Sequence, residues 1–315
     1  MITRREYLKL SALAGVALAI NPKLLLADDS PREVITRVIP GTSERLPVVG
    51  LGSSASFSRV AGEGDTDRIR AVLQALVEHG GKVFDTAPSY GEAEGVAGRV
   101  AREAGLAQRL FWATKLNVVP RGGDTADVDA ARAQLEQSFA RIGKDPIDLV
   151  QVHNMADPPT QLGLLNEYKQ AGRIRYVGIT TTFPRQYADL EALMRNEPLD
   201  FIGVDYAIDN RTMEERIFPL AAERGIGVLV YAPFGRRRLW EQVEGKQVPE
   251  WAAEWDIATW GQFFLKFVVS NPVVTAATPS TSRPEHMIDN LGAATGRLPD
   301  EAGRQRMVEY VAALD

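Results

Sequence analysis

Four residues with complementary chemistry follow short apolar segments of the chain. Asp85 and Tyr90 lie in FDTAPSYG, Lys115 ends FWATK and His153 ends LVQVH. A tyrosine hydroxyl titrates near pH ~10 in water, so it needs a neighbouring cation such as Lys115 to exchange a proton near neutrality. Asp85 would hold that cation, and a neutral His153 would donate a hydrogen bond to a substrate oxygen. The set predicts proton delivery to a carbonyl oxygen.

Eight strand-like segments alternate with helical ones from Pro47 onward, and these elements must position the four residues. The strand-like segments are LPVVGL, GKVFD, RLFWATK, IDLVQVH, IRYVGIT, DFIGVDY, GIGVLVY and PVVTAAT. Apolar residues at three- and four-residue spacing predict helices such as Asp67–His79, Ala126–Ile142 and Met213–Arg224. Eight β/α units whose strands are apolar on both faces predict a (β/α)8 TIM barrel.

Two further elements are expected at the ends of the barrel. The segment Arg32–Arg45, which turns at Pro40-Gly41, predicts an N-terminal β-hairpin that covers the bottom of the barrel, and Asp300–Leu314 predicts a closing helix. In such a barrel the active site forms at the carboxyl ends of the strands, so the four residues should share one mouth.

A second fold is compatible with one motif. Gly50, Gly52 and Ala55 match the dinucleotide pattern G-x-G-x-x-G/A after a strand, which would indicate a doubly wound sheet. The residues from Ser56 to Gly64 include two more glycines where the phosphate-binding helix should run without interruption. The context therefore favours the barrel.

The first 27 residues resemble a bacterial twin-arginine export signal. Arg4 and Arg5 precede the uncharged run SALAGVALAI, which is too short to cross a bilayer as an anchor. A basic amphipathic start is the alternative. Cleavage is expected after Ala27 rather than Ala19, which leaves residues 28–315 as one barrel domain. The signal predicts contact with the Tat translocon and a periplasmic location.

Composition excludes several classes of function. The formal net charge is −5 for the whole chain and −8 without residues 1–27, which is unsuited to binding nucleic acid. Cysteine is absent, so disulfides and thiolate nucleophiles are excluded. The three histidines, His79, His153 and His286, are scattered, and we expect no metal site.

The motifs resemble those of the aldo-keto reductases. FDTAPSYG, the strand-ending Lys115, DPIDLVQVH, KQAGRIRYVGIT and TPSTSRPEHMIDN follow one another from about Val48 to Asn290. The resemblance implies that Tyr90 is the general acid of a reductase, assisted by Lys115, Asp85 and His153. Reduction of an aldehyde or ketone also needs a hydride, which no side chain supplies, so a nicotinamide cofactor is expected.

The resemblance also implies which residues hold that cofactor. Tyr231, in YAPFG, corresponds to the ring that stacks on the nicotinamide, and Thr180 and Thr181 stand where the family commonly has Ser-Asn against the carboxamide. The segment after the eighth strand faces the adenosine. The other positions implied are Gly52, Ser53, Asp205, Ala232, Phe234, Gly235, Arg236, Ser280, Thr281, Arg283, His286, Asp289 and Asn290. Trp240 is a candidate for substrate contact, with simple aromatic packing as the alternative.

Four positions depart from the family pattern. Thr181 cannot offer both an amide donor and a carbonyl acceptor, and Gly203 stands where the family often has a glutamine, so the carboxamide should have fewer partners. Many NADPH-selective relatives carry lysine at the position of Ser280 and arginine at that of His286. Arg283 alone can still clamp a phosphate, so NADPH is expected and NADH remains possible.

Two alternatives to an exported reductase stay open. Potassium-channel β subunits resemble aldo-keto reductases but act chiefly as regulatory partners, so a non-catalytic nucleotide-binding protein is one. A barrel hydrolase is the other, although the sequence shows no nucleophile or metal cluster for it. Because free NADPH is not expected outside the cytoplasm, an exported reductase would be loaded before export and could serve a periplasmic redox partner.

Overall fold

The computed structural model describes residues 33–120 and 123–314. The predicted signal, residues 1–27, lies outside the described residues. Among those described, no helix is both long and apolar enough to span a membrane.

A β-hairpin precedes the barrel, as predicted. Strands β1 (Thr36–Val38) and β2 (Arg45–Pro47) pair antiparallel, so the second strand starts where the predicted hairpin was expected to end. Ile39 and Leu46 are buried among residues of the barrel interior such as Phe111. This apolar contact fixes the hairpin over the amino-terminal end of the barrel.

Eight parallel strands form the barrel. They are β3 (Leu51–Gly52), β4 (Val83–Asp85), β5 (Phe111–Leu116), β6 (Ile147–Val152), β7 (Ile174–Thr181), β8 (Phe201–Asp205), β9 (Gly227–Tyr231) and β10 (Val274–Ala277), each paired with its neighbour in chain order. The parallel bridges Val49–Ala277 and Gly52–Ser280 join the first strand to the last. The fold is therefore a (β/α)8 barrel, and the doubly wound alternative is wrong.

Helices surround the strands. They are α1 (Ser56–Gly62), α2 (Thr66–Glu78), α3 (Ala93–Glu103), α4 (Val128–Ile142), α5 (Pro158–Gln170), α6 (Tyr187–Asn196), α7 (Ile217–Arg224), α8 (Arg238–Gln242), α9 (Trp260–Ser270), α10 (Pro284–Gly292) and α11 (Glu301–Ala312). Short 3₁₀ turns cover His153–Met155, Pro184–Gln186, Thr212–Glu214 and Glu250–Trp255. Capping side chains determine the residue at which several helices begin. Asp127 accepts a hydrogen bond from the Ala130 amide, so α4 begins two residues later than predicted.

Strand periodicity separates the two faces of the barrel wall. On β5, Phe111 and Ala113 belong to the interior cluster, whereas Trp112 packs in the outer core beneath the helices. Continuing that alternation places Lys115 inside, near the carboxyl end of the strand. The interior is thus apolar at the bottom and polar at the mouth.

Candidate active site

An ion pair lies at the centre of the barrel mouth. The Lys115 Nζ donates to Asp85 Oδ2 at 2.6 Å and to the Thr86 carbonyl oxygen at 2.8 Å, and both charged side chains are at most 3% exposed. Burial works to lower the pKa of Lys115, but Asp85 and Tyr90 outweigh it and hold that pKa above the ordinary lysine value. Lys115 is therefore a fixed cation at neutral pH.

Tyr90 places its ring next to this cation. It lies in the loop after β4, where the Ser58 hydroxyl donates to the Tyr90 carbonyl oxygen at 2.7 Å, and the Lys115 Nζ is 5.0 Å from the ring centroid. Burial raises the pKa of Tyr90, and Lys115 offsets only part of that rise. The sequence predicted the downward influence of Lys115 but not the larger effect of burial. The phenol therefore keeps its proton at neutral pH, which is the form that a proton donor needs.

His153 is held as a neutral imidazole. Burial, and then the charge of Lys115, lower the pKa of His153 to about 3. Its ring lies edge-on to that of Tyr90 with 5.8 Å between centroids, and its Nδ1 is 3.4 Å from the Ser89 hydroxyl. The neutral state predicted from the sequence thus has a physical cause in the fold.

Tyr231 joins the same network through its hydroxyl. The hydroxyl donates to Asp85 Oδ1 at 3.1 Å and accepts from Gln151 Nε2 at 2.9 Å, and the Lys115 Nζ is 5.1 Å from the Tyr231 ring centroid. Asp85 therefore has a partner on each carboxylate oxygen. Sequence reasoning missed Gln151, although it is a polar residue in an otherwise apolar stretch of β6, which was an available signal.

The four predicted residues line one cavity of about 450 Å³. Seven of the residues predicted for the cofactor also line it: Gly52, Thr180, Tyr231, Ala232, Phe234, Arg236 and Ser280. The remaining lining residues were not predicted as site residues, and the sequence named Ala55 only as part of the dinucleotide pattern; they are Ser54, Ala55, Asn154, Thr182, Pro233, Arg237, Thr278 and Pro279. The cavity is open at the carboxyl ends of the strands, with the reactive side chains at its base.

Comparison with known proteins identifies the family. The model of the aldo/keto reductase family matches residues 48–305. The chain belongs to this family. It is accordingly an oxidoreductase of the aldo-keto reductase type, as the sequence motifs predicted.

Named relatives are similar in sequence, and a solved structure shares the fold. Aldo-keto reductase str7 of Strobilurus tenacellus is 25% identical over 290 residues, covering 81% of this chain and 84% of that protein. The NADH-specific methylglyoxal reductase of Escherichia coli is 28% identical over 235 residues, covering 66% of this chain and 70% of that protein. An aldo/keto reductase from Klebsiella pneumoniae, solved with NADP and acetate, superposes with a TM-score of 0.73 at 24% identity, covering 88% and 96% of the two chains.

Several predicted cofactor residues lie outside the cavity wall. Ser53 is buried, and its amide donates to the Asp85 carbonyl oxygen at 2.9 Å. The Thr181 hydroxyl is 2.5 Å from Gln186 Oε1. The carboxylate of Asp205 accepts from Tyr187 and Asn210, at 2.8 Å each. All three residues therefore bond to other protein groups and do not form the surface of the cavity.

The remaining predicted residues do not line the cavity either. Gly235 continues the turn after β9, while Thr281, Arg283, His286, Asp289 and Asn290 follow β10 at the start of α10 or within it. The Asp289 carboxylate accepts hydrogen bonds from Thr259 and Gln262. Trp240 is 41% exposed and packs on Phe234, a cavity residue, with 5.0 Å between ring centroids. Trp240 thus backs the cavity wall without forming it.

The cavity is chemically suited to a nicotinamide nucleotide. Gly52 lies so close to the neighbouring segment after β10 that a Cβ there would be 2.6 Å from the Thr278 carbonyl oxygen, so only glycine fits at this point of the cavity wall. Arg236 and Arg237 supply positive charge at the cavity wall for phosphate groups, and Tyr231 contributes an aromatic ring beside the proton-donating set. These residues would hold the cofactor, which supplies a hydride when bound.

Proposed function

We propose that this protein reduces aldehyde or ketone carbonyls to alcohols with NADPH. The observation that carries the proposal is the convergence of Tyr90, Lys115, Asp85 and His153 at the base of one cavity that also has an aromatic wall and two arginines. The family assignment supports an oxidoreductase, and the four residues give that activity a proton-transfer route.

Each residue has a distinct role in the proposed reaction. Tyr90 donates its proton to the carbonyl oxygen as negative charge develops there. Lys115 stabilises the phenolate that remains, and Asp85 keeps the ammonium group in place. His153, being neutral, donates a hydrogen bond that orients the carbonyl oxygen without adding a second cation. A nicotinamide held beside Tyr231 would supply the hydride that the reduction needs.

The test is NADPH oxidation against a panel of aldehydes, quinones and dicarbonyls. We expect Tyr90→Phe to lower the rate by about 10²–10⁴-fold, the usual contribution of a positioned general acid. Tyr310→Phe, in α11, is the control for removing a tyrosine hydroxyl elsewhere. Equal rates for Tyr90→Phe and the wild type would refute the assignment of Tyr90 as proton donor.

NADPH is proposed over NADH because of Arg283. Its guanidinium, exposed before α10, suits a 2′-phosphate, although the Escherichia coli relative is named for NADH specificity. Dissociation constants for the two nucleotides, measured on wild type and Arg283→Met, test this choice. We expect Arg283→Met to weaken NADPH binding and leave NADH binding unchanged, with Arg224→Met on α7 as control. Equal loss for both nucleotides would contradict the proposed phosphate contact.

Regulatory nucleotide binding without turnover is the second candidate function. The intact proton-donating set favours catalysis over this alternative. Binding of NADPH combined with no oxidation of it across the whole carbonyl panel would support the regulatory function instead.

We also propose that residues 1–27 direct the folded protein to the periplasm through the twin-arginine pathway. The consecutive Arg4 and Arg5 before an uncharged run support this proposal. Replacing both arginines with lysine should retain the protein in the cytoplasm, as followed by cell fractionation. Mass spectrometry of the periplasmic fraction should find bound nucleotide, since a scarce cofactor must be loaded before export. An exported protein free of nucleotide would refute the loading step and point to a periplasmic redox partner as hydride source.

A further inference from the structure

Gln151 is a buried polar residue directly beneath the candidate active site. It lies on β6, is fully buried, and its Nε2 donates to the Tyr231 hydroxyl at 2.9 Å. Its Oε1 has no hydrogen-bond partner among the protein atoms of residues 33–120 and 123–314. Leaving a buried carbonyl oxygen unpaired within the protein is unfavourable, so the orientation of this amide needs an explanation.

The neighbouring carboxylate fixes that orientation. Asp85 Oδ1 can only accept a hydrogen bond, so the Tyr231 hydroxyl must donate to it at 3.1 Å. The same hydroxyl can then only accept from Gln151, which requires the Nε2 group rather than Oε1 to face it. The Gln151 amide therefore donates to Tyr231 through Nε2, and this orientation leaves its Oε1 without a protein partner in the described part of the chain.

Two glycines on adjacent strands make room for this arrangement. A Cβ at Gly178 would be 3.1 Å from the Gln151 side chain and 2.5 Å from the Phe201 carbonyl oxygen. A Cβ at Gly203 would be 2.5 Å from the Tyr231 ring and 2.7 Å from its hydroxyl oxygen. Side chains at either position would displace the Gln151–Tyr231 contact.

We infer that Gln151 is a positioning residue that fixes the Tyr231 ring as the surface on which the nicotinamide is placed, through the hydrogen-bond chain Gln151–Tyr231–Asp85. The chain links the nucleotide-binding wall to the Asp85–Lys115 pair, so one network positions both the proton donor and the cofactor. This inference rests on the proposed function and extends it to a residue that makes no direct contact with the cavity.

Two substitutions separate the links of the chain. Gln151→Met removes the donor and keeps the length of the side chain, whereas Tyr231→Phe keeps the ring and removes the hydroxyl. Gln161→Met is the matched control for the first, because Gln161 is also buried, on α5, with an unpaired Oε1 in the described part of the chain. Tyr206→Phe is the control for the second, because the Tyr206 hydroxyl lies between Glu214 and Arg304, away from the cavity.

Nucleotide affinity is the first measurement, made by fluorescence titration without substrate. We expect Gln151→Met and Tyr231→Phe each to raise the dissociation constant of NADPH by about tenfold, the upper end for one hydrogen bond. The double variant should be no weaker than Tyr231→Phe alone, since both changes break the same chain. Both controls should remain within about twofold of the wild type.

The pH profile of kcat is the second measurement, because a substitution that only loosened packing would not shift its acid limb. Asp85 is faced by Lys115, Tyr90 and Tyr231, and loss of the Tyr231 hydrogen bond to the carboxylate raises the pKa of Asp85. The acid limb should therefore move to higher pH in Tyr231→Phe and stay in place in Gln151→Met, which leaves the Asp85 contact intact.

The outcomes distinguish this inference from the proposed function. A wild-type protein that binds neither NADPH nor NADH would refute the proposed function itself. A wild type that binds NADPH, with unchanged affinity in a folded Gln151→Met, would overturn the role of Gln151. If Gln151→Met does not fold, Tyr231→Phe provides the test. An NADPH affinity and an acid limb of kcat equal to those of Tyr206→Phe would overturn the inference.

Discussion

Removing Lys115 should leave a buried, uncompensated carboxylate in the barrel. The Asp85 side chain is 3% exposed and accepts from Lys115 at 2.6 Å. Breaking a buried ion pair by deleting one partner typically costs about 3–5 kcal/mol. Asp85 keeps its hydrogen bond from Tyr231, so we place Lys115→Met at the lower end, about 3 kcal/mol.

Urea unfolding at pH 7 measures this loss, and a double variant tests its cause. Asp85→Asn combined with Lys115→Met removes both charges, so it should recover about 2 kcal/mol relative to Lys115→Met alone. Reductase activity should stay low in both variants, because neither can stabilise the Tyr90 phenolate. Recovery of stability without recovery of activity would separate the structural role of the pair from its chemical role.

The pH dependence gives an independent check on Lys115→Met. Without the cation, burial raises the pKa of Asp85 further above its unfolded value of about 3.9. The folded state then binds the proton more tightly than the unfolded state, so the variant loses stability as pH rises from about 4 through the folded pKa. Its deficit relative to wild type should shrink on acidification. A deficit below about 1 kcal/mol at pH 7, or a double variant no more stable than the single one, would refute the reasoning.

Three further predictions concern other parts of the fold. The pKa of His153, about 3, means that its NMR ring signals should not titrate between pH 5 and 8, and the stability that it contributes should fall as pH drops from about 6.5 towards 3; a titration midpoint near 6.5 would contradict its burial. Gly203→Ala should displace the Tyr231 ring and cost about 1–3 kcal/mol in urea unfolding, with weaker NADPH binding; unchanged binding would show that the ring position is not important. Gly98→Ala should cost a similar amount, because a Cβ there would be 2.1 Å from the Arg141 carbonyl oxygen, while kcat of the folded protein stays unchanged; a change in kcat would contradict a purely packing role.

The barrel was predictable because its signals are local and repeated. Each strand is an apolar run and each helix has its own period, so eight β/α units could be counted without knowing how they pair. The predicted ends of helices were less accurate where a single capping hydrogen bond determines the first residue of the helix. Because Asp127 caps α4, that helix begins at Val128 rather than at the predicted Ala126. The helix predicted from Met213 is instead a 3₁₀ turn followed by α7. Such details depend on capping geometry that periodicity does not contain.

The convergence of Asp85, Tyr90, Lys115 and His153 on one cavity was predictable from the sequence, but the electrostatics of the cavity were not. Strand-ending positions identify Asp85, Lys115 and His153 because the carboxyl ends of parallel strands meet at one mouth. The net shift of the Tyr90 pKa depends on how deeply the ring is buried, which no local pattern states. Gln151 was missed for a related reason: its role comes from a partner 80 residues away in sequence.

Gly203 shows how a departure from the family pattern can have a structural counterpart. From sequence, glycine at this position implied a missing contact to the nicotinamide carboxamide. In the structure, the space that a side chain would occupy is taken by the Tyr231 ring, whose hydroxyl bonds to Asp85. A glutamine at position 203 and this placement of Tyr231 exclude each other on steric grounds. Hence the protein exchanges a possible direct contact for an aromatic wall that is anchored to the buried Asp85–Lys115 ion pair.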